Sequence, residues 1–192
     1  MKLRVMLIDE NRGRAALLQQ ALCDADYEVV AIINTRDNLF EQVQNTPVDV
    51  IIIDMESPDR DTLEYLSSIH RTQPKPVIMF ADDDDTNLIR AAVKAGVSAY
   101  VVDDLSRYRV KPIIEVAIAQ FREYQAMRQE LEETKTKLAE RKVIERAKGI
   151  LMRQKGMDEE TAYRALRKMA MNRNMRLAEV AEDVIAVAQL LS

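Results

Sequence analysis

The strongest constraint on the fold is an alternation of short apolar runs with amphipathic stretches through about the first 105 residues. The runs are rich in Val and Ile, and they are LRVMLID, EVVAII, VDVIIID, PVIMF and SAYVVD. The stretches between them are about ten residues long and repeat their apolar positions at helical spacing. Strands that alternate with helices form a parallel sheet with helices on both faces, and β-branched runs suit strands that are buried on both sides.

This alternation predicts an α/β flavodoxin-like fold with five parallel strands in the order 2-1-3-4-5. In such folds ligands bind beyond the carboxyl ends of the strands, where Asp9, Glu10 and Asp54 follow the first and third runs. Two unit charges about 4 Å apart repel by roughly 4 kcal/mol at a surface-like dielectric. Three carboxylates therefore favour a bound Mg²⁺, and a cation beside Asp54 would assist phosphoryl transfer onto that side chain.

The segments MLIDEN and DVIIIDMESP together resemble the receiver domain of bacterial response regulators, over about residues 1–120. The resemblance implies that Asp54 is a phosphoacceptor and that it ligates Mg²⁺ together with Asp9. It also implies that Glu10 acts on the metal through water and that Glu56 offers its backbone carbonyl. Tyr100 matches the aromatic switch position on the fifth strand.

Two positions depart from the receiver pattern. Receivers usually carry Thr or Ser where this chain has Ala81, and Lys where it has Asp103. A phosphoryl group on Asp54 would therefore lack the hydroxyl and the ammonium that usually hold its oxygens. Control by a sensor kinase remains open beside sequestration by a ligand-binding sensor protein, and these two residues favour sequestration.

A long helix is predicted between Pro112 and Gly149, because no Gly or Pro interrupts the chain there. Its first half carries a heptad pattern with apolar residues at the a and d positions, which predicts a parallel coiled-coil homodimer. The alternative is one amphipathic helix that folds back on its own receiver. The residues assigned to the dimer seam are Ile114, Ala117, Phe121, Tyr124, Leu131 and Leu138.

The charge of the chain is unevenly distributed. Residues 137–176 hold 12 Lys and Arg against 5 Asp and Glu, although the whole chain has a net charge of -4. A basic segment within an acidic protein suggests that this segment binds a polyanion. Apolar spacing predicts a small all-α domain of three helices here. The basic residues outside its core are Arg141, Arg146, Lys148, Arg153, Arg164, Arg167, Lys168 and Arg173.

The run IERAKGILMRQKGMDEETAYRALRKMAM resembles the ANTAR domain, the RNA-binding output module of the AmiR/NasT antiterminators. The resemblance implies binding to paired hairpins in nascent leader RNA. A dimer would present two basic patches, which suits two hairpins, and we expect Lys148 to lie at a hairpin loop. Tyr163 stacks on a base or packs in the core, and its neighbour Ala162 favours the core. The implied domains are a receiver at 1–112, a coiled-coil helix at 113–138 and an ANTAR domain at 139–192.

Other functions fit the sequence less well. A degenerate receiver could belong to a DNA-binding regulator, but no clear helix-turn-helix is visible. It could also belong to a protein-interaction regulator, but that role would leave the basic residues without a function. An enzyme is not expected, because no nucleophile–base pair or P-loop appears. The lack of a membrane span and the single Cys23 favour a cytoplasmic protein without a membrane partner. The segments SAYVVD and FADDDD most resemble the NasT branch of this family, and that resemblance implies a role in nitrate or nitrite assimilation.

Overall fold

The computed structural model describes residues 2–33, 39–102 and 110–190. The strands are β1 (Arg4–Asp9), β2 (Glu28–Ile33), β3 (Val50–Met55), β4 (Val77–Ala81) and β5 (Ala99–Val102). The helices are α1 (Arg12–Asp24), α2 (Leu39–Asn45), α3 (Arg60–Thr72), α4 (Thr86–Lys94), α5 (Val110–Lys155), α6 (Glu159–Arg173) and α7 (Leu177–Leu190). None of these helices is long and apolar enough to cross a membrane, as far as the described residues extend.

The five strands form one parallel sheet in the order β2-β1-β3-β4-β5, which confirms the predicted topology. Successive side chains of a strand point to opposite faces, and both faces are buried. Met6 and Ile8 of β1 belong to one apolar cluster, whereas Val5 and Leu7 belong to another. The nearly unbroken apolar runs of the sequence are thus explained, because neither face of the central strands meets water.

The first turns of α5 complete the second apolar cluster. Ile114 and Ala117 are fully buried there, together with side chains of α1 and of the sheet. The predicted dimer seam is corrected at these two residues, because a side chain with no exposed surface cannot also contact a twin helix. The first compact unit runs from Met1 to Gln125 and so includes the start of α5.

The second compact unit, Ala126–Ser192, contains the end of α5 together with α6 and α7. Its core is formed by Ala147, Leu166, Ala170, Val180 and Ala181. Asp158 is the N-cap of α6, and its side chain accepts a hydrogen bond from the Thr161 N–H at 2.7 Å. Asn174 ends α6 in the left-handed conformation, with a φ of 51°.

Candidate functional site

The acidic pocket of the first unit lies where β1 and β3 end. Asp9 and Asp54 are direct partners in the register of these neighbouring strands, and each is only 5% exposed. Asp9 Oδ1 accepts a hydrogen bond of 2.7 Å from the Asn11 N–H. Burial raises the pKa of Asp9, while the Asn11 N–H and the charge of Arg14 oppose that shift. The pocket therefore holds two adjacent buried carboxylates of the three that the sequence placed there.

Arg14, which the sequence pattern alone does not mark as part of the pocket, approaches both carboxylates. Its Nη2 lies 3.9 Å from Asp9 Oδ1, and its Nε lies 3.8 Å from Asp54 Oδ2. Arg14 stands in the first turn of α1, where the helix dipole disfavours a positive charge by about 0.3–1 kcal/mol. Attraction to a carboxylate about 4 Å away is larger, roughly 4 kcal/mol at an effective dielectric of 20 before desolvation. A basic residue in this unfavourable position, soon after an acidic strand end, was the available signal.

Glu10 and Glu56 do not join the buried pair. Both side chains are exposed, and the backbone carbonyl of Glu56 accepts a hydrogen bond of 3.1 Å from the Asp82 N–H. No group of three or more acidic, His or Cys side chains suited to a metal comes together within the described ranges. Asp9 Oδ2 is nevertheless buried and has no hydrogen-bond partner among the described residues. Asp9 and Asp54 therefore fit a hard cation, since Mg²⁺ commonly takes one or two carboxylates and several waters.

The three predicted switch positions have different environments. Ala81 is buried at the end of β4, so a methyl group occupies the position that could have carried a hydroxyl. Tyr100 packs against the first apolar cluster and donates its hydroxyl to the Asp83 carbonyl at 2.9 Å. Burial, with the charges of Asp83 and Asp84, raises the pKa of Tyr100. Asp103 lies outside the described residues.

Lys148 has a different environment from the one expected at an RNA loop. It is only 7% exposed, and its Nζ lies 2.8 Å from carboxylate oxygens of both Glu145 and Glu159. Hydrogen bonds to Glu145, which has the larger effect, and to Glu159 raise the pKa of Lys148. The prediction that places Lys148 at a hairpin loop therefore needs revision, because two glutamates already surround the ammonium group.

The other predicted RNA-binding residues lie on the surface of the second unit. Arg164 and Arg173 form ion pairs with Glu160 at 3.5 Å and Asp183 at 3.1 Å. Tyr163 is 42% exposed, so the expectation that it packs in the core is wrong. The exposed basic residues, called the basic surface below, are Arg141, Arg146, Arg153, Arg164, Arg167, Lys168 and Arg173.

Comparison with known proteins assigns both units. The family model of the response regulator receiver domain matches residues 5–115, and that of the ANTAR domain matches residues 132–185. The transcriptional regulatory protein PdtaR of Mycobacterium tuberculosis is 30% identical over 182 residues, which are 95% of this chain and 89% of that protein. This chain is an AmiR/NasT-type response regulator. Its acidic pocket belongs to a receiver domain, and its basic surface belongs to an ANTAR domain.

Further relatives of this response regulator match parts of it. The nitrate regulatory protein of Klebsiella oxytoca is 42% identical over 80 residues, which are 42% of this chain but 20% of that protein. The signal receiver domain of NarL from Mycobacterium tuberculosis has a TM-score of 0.54 at 20% identity, covering 60% of this chain and 96% of that one. A receiver domain protein from Methanospirillum hungatei has a TM-score of 0.56 at 18% identity, covering 65% of this chain and 99% of that one. These structures share the receiver fold.

The remaining seam residues of this response regulator are accessible in the single chain. Tyr124, Leu131 and Leu138 of α5 are 55%, 53% and 54% exposed, and Phe121 is half-buried. The Tyr124 ring also contacts His70, with the two ring centroids 6.1 Å apart. Leu131 and Leu138, one heptad apart, are therefore the exposed apolar residues that best fit a contact with a second helix.

Proposed function

We propose that this response regulator is a transcription antiterminator that binds paired hairpins in nascent leader RNA as a homodimer. The observation that carries the proposal is the basic surface on the end of α5 and on α6, within residues that match the ANTAR domain. Phosphate contacts from Arg and Lys supply much of the affinity for nucleic acid. The proposal concerns regulation of transcription and involves no catalytic step.

An exposed aromatic side chain gives the surface a means to recognise loops. Sequence-specific RNA recognition favours single-stranded loops, whose unstacked bases can lie on aromatic rings. Tyr163 is exposed and stands beside Arg164 on α6. We therefore assign base stacking to Tyr163 and phosphate contacts to the basic surface, while Lys148 becomes a residue that positions α5 against α6 through Glu159.

A dimer would present two such surfaces to the two hairpins. The exposed leucines of α5, Leu131 and Leu138, support a parallel pairing of two helices beyond the receiver core. Basic residues at the a positions of the same stretch weaken such a seam but favour a low oligomer number. These residues are Arg128, Lys135 and Lys142. We therefore expect a homodimer rather than a larger assembly.

RNA binding by the full chain tests the function. The probes are a two-hairpin leader RNA, the same RNA with scrambled loops, and duplex DNA, each at several salt concentrations. We further propose nitrate or nitrite assimilation as the pathway, supported by the match to the nitrate regulatory protein, so the leader of such an operon is the first probe. The intact hairpins should bind most tightly, and log K should fall by about 0.7–0.9 per phosphate contact for each unit of log salt.

Two variants of the basic surface sharpen this test. Arg153→Ala and Arg167→Ala should each weaken binding and reduce the salt slope by about 1. The matched control is Arg176→Ala, which removes an exposed arginine that is already paired with Glu140 at 3.6 Å and Glu179 at 2.9 Å. Equal affinity for all three probes would show that the basic surface binds polyanions without recognising hairpins. Tight binding of duplex DNA alone would favour a DNA-binding regulator instead, and no binding by any probe would favour a protein-interaction role.

The receiver domain is proposed to receive its signal from a partner sensor. Asp9 and Asp54 would hold Mg²⁺, which when bound would neutralise the carboxylates and assist phosphoryl transfer to Asp54. The buried methyl group of Ala81 offers no hydrogen bond to a phosphoryl oxygen, so we favour sequestration by a sensor protein over phosphorylation by a kinase.

Incubation with Mg²⁺ and a small-molecule phosphodonor checks this route of control. No stable mass increase is expected in the intact protein, because Ala81 carries no hydroxyl to hold a phosphoryl oxygen. Asp54→Ala serves as the control, since any phosphoryl group on Asp54 must disappear with the carboxylate. A mass increase that this substitution removes would show that phosphorylation, rather than sequestration alone, can control the protein.

A further inference from the structure

Arg14 forms ion pairs, but no hydrogen bonds, with the two carboxylates of the acidic pocket. Its two distances to the carboxylates, 3.8 and 3.9 Å, suit ion pairs but are too long for hydrogen bonds. Its Nε is buried and has no hydrogen-bond partner among the described residues. The side chains of Asp9 and Asp54 are 0% and 7% exposed, whereas that of Arg14 is 34% exposed. The guanidinium therefore adjoins both buried acids and also has access to solvent.

A positive charge in this position performs part of the role of a bound cation. Two neighbouring carboxylates oppose each other's ionisation, and a positive charge close to both relieves the repulsion. The same charge repels a divalent cation that enters the pocket, whichever carboxylate oxygen receives it. Asp9 Oδ2, which is buried and without a hydrogen-bond partner among the described residues, is the atom most suited to receive such an ion.

We propose that Arg14 is a built-in counter-ion that stabilises the acidic pocket without metal and lowers its affinity for Mg²⁺. This assignment goes beyond RNA binding, and either one can fail without the other. It makes Arg14 the residue that sets the affinity of the site for divalent cations. The receiver then keeps its carboxylates compensated at low Mg²⁺, and the divalent ion contributes less to its stability than it would to an uncompensated acidic pair.

The test compares Mg²⁺ binding and thermal unfolding of the full chain with those of Arg14→Gln and Arg14→Lys. Calorimetric titration gives the Kd for Mg²⁺, and unfolding in EDTA gives the stability without metal. Arg14→Gln should tighten Mg²⁺ binding at least about tenfold, since it removes the repelling charge. It should also lower the midpoint in EDTA, and Mg²⁺ should restore it. Arg14→Lys keeps the charge and should remain closer to the intact protein in both measurements.

A neighbouring arginine supplies the matched control. Arg12 lies in the same helical turn and is exposed, so Arg12→Gln removes an equal charge outside the pocket. It should change the Kd for Mg²⁺ less than about threefold, because solvent screens exposed charges. Adding Asp9→Asn to Arg14→Gln should abolish the gain in Mg²⁺ affinity, which locates the gain at the proposed acceptor.

Several outcomes would overturn the assignment. A Kd for Mg²⁺ that is unchanged or weaker in Arg14→Gln would show that Arg14 does not oppose the ion. An unchanged midpoint in EDTA would show that it is not a counter-ion. If Arg14→Gln fails to fold without metal, refolding on addition of Mg²⁺ is the expected result, and failure to refold contradicts the proposal. An equal change in the Kd for Mg²⁺ in Arg12→Gln would show that the effect comes from the net charge of the protein and not from the position of Arg14.

Discussion

Lysine at both Leu131 and Leu138 is expected to convert the proposed dimer into a monomer and to weaken binding to a two-hairpin RNA by about 10²–10⁴-fold. Both leucines are more than half exposed in the single chain, at 53% and 54%, and both occupy heptad d positions. In a dimer they would pack against their counterparts, where two lysines would place four charges in an apolar seam. Loss of the dimer removes the gain that a dimer obtains from holding two hairpins at once.

Sedimentation gives the oligomeric state of this double variant, and titration with one-hairpin and two-hairpin probes gives the affinities. Binding to a single hairpin should change little, because the substitutions lie outside the basic surface. Val116→Lys is the matched control, since Val116 is a 56% exposed apolar residue on the same helix, away from the seam. A double variant that stays dimeric, or a monomer that binds two hairpins as tightly as the intact protein, would contradict the proposed assembly.

Ile114→Ala is expected to lower the free energy of unfolding of the receiver domain by about 2–5 kcal/mol. Ile114 is fully buried against the sheet, so truncation removes apolar contacts and leaves a cavity. Urea unfolding followed by circular dichroism measures the change. Val116→Ala, two residues further along the helix, should stay within about 0.5 kcal/mol because its side chain is exposed.

The opposite outcome has a defined meaning. If Ile114→Ala left receiver stability unchanged but weakened dimerisation, Ile114 would belong to an intermolecular seam, as the heptad pattern predicted. If both alanine variants had equally small effects, the start of α5 would not be part of the receiver core. The comparison therefore tests directly where the dimer seam begins along α5.

The strands were predictable because a strand that is buried on both faces has a nearly unbroken run of apolar residues, which few other elements have. Ile51, Ile52 and Ile53 cannot all face water, and a parallel sheet covered on both faces is the simple solution. The positions of Asp9 and Asp54 followed from that topology, because parallel strands deliver their carboxyl ends to the same edge. Local apolar pattern was sufficient for these features.

The errors on α5 and α6 have a different cause. Spacings of three and four residues mark an apolar helical face, but they do not tell whether that face covers its own sheet or a partner helix. The spacing of Ile114 and Ala117 fits both arrangements, and in the structure both side chains pack against the sheet of their own chain. Tyr163 follows the buried Ala162, yet one residue along a helix is a rotation of about 100°, which turns it outward.

Arg14 and Lys148 were missed or misplaced because long side chains reach partners that local sequence does not identify. Arg14 lies beside Asp54 through the packing of α1 near the strand ends. Lys148 meets Glu159 only because the chain reverses between α5 and α6. Side-chain reach and tertiary proximity decide both interactions, and helical periodicity carries no information about either.

The pairing of Lys148 with two acids changes how an alanine scan of the ANTAR domain is to be interpreted. Truncating an ordinary surface lysine removes one positive charge from the surface that we propose to face RNA. Truncating Lys148 also uncovers the carboxylates of Glu145 and Glu159, and it severs a tie between consecutive helices. The variant would thus repel phosphate and loosen the scaffold together. Neutralising the two glutamates in the same background separates these effects, because it removes the repulsion while the tie stays broken.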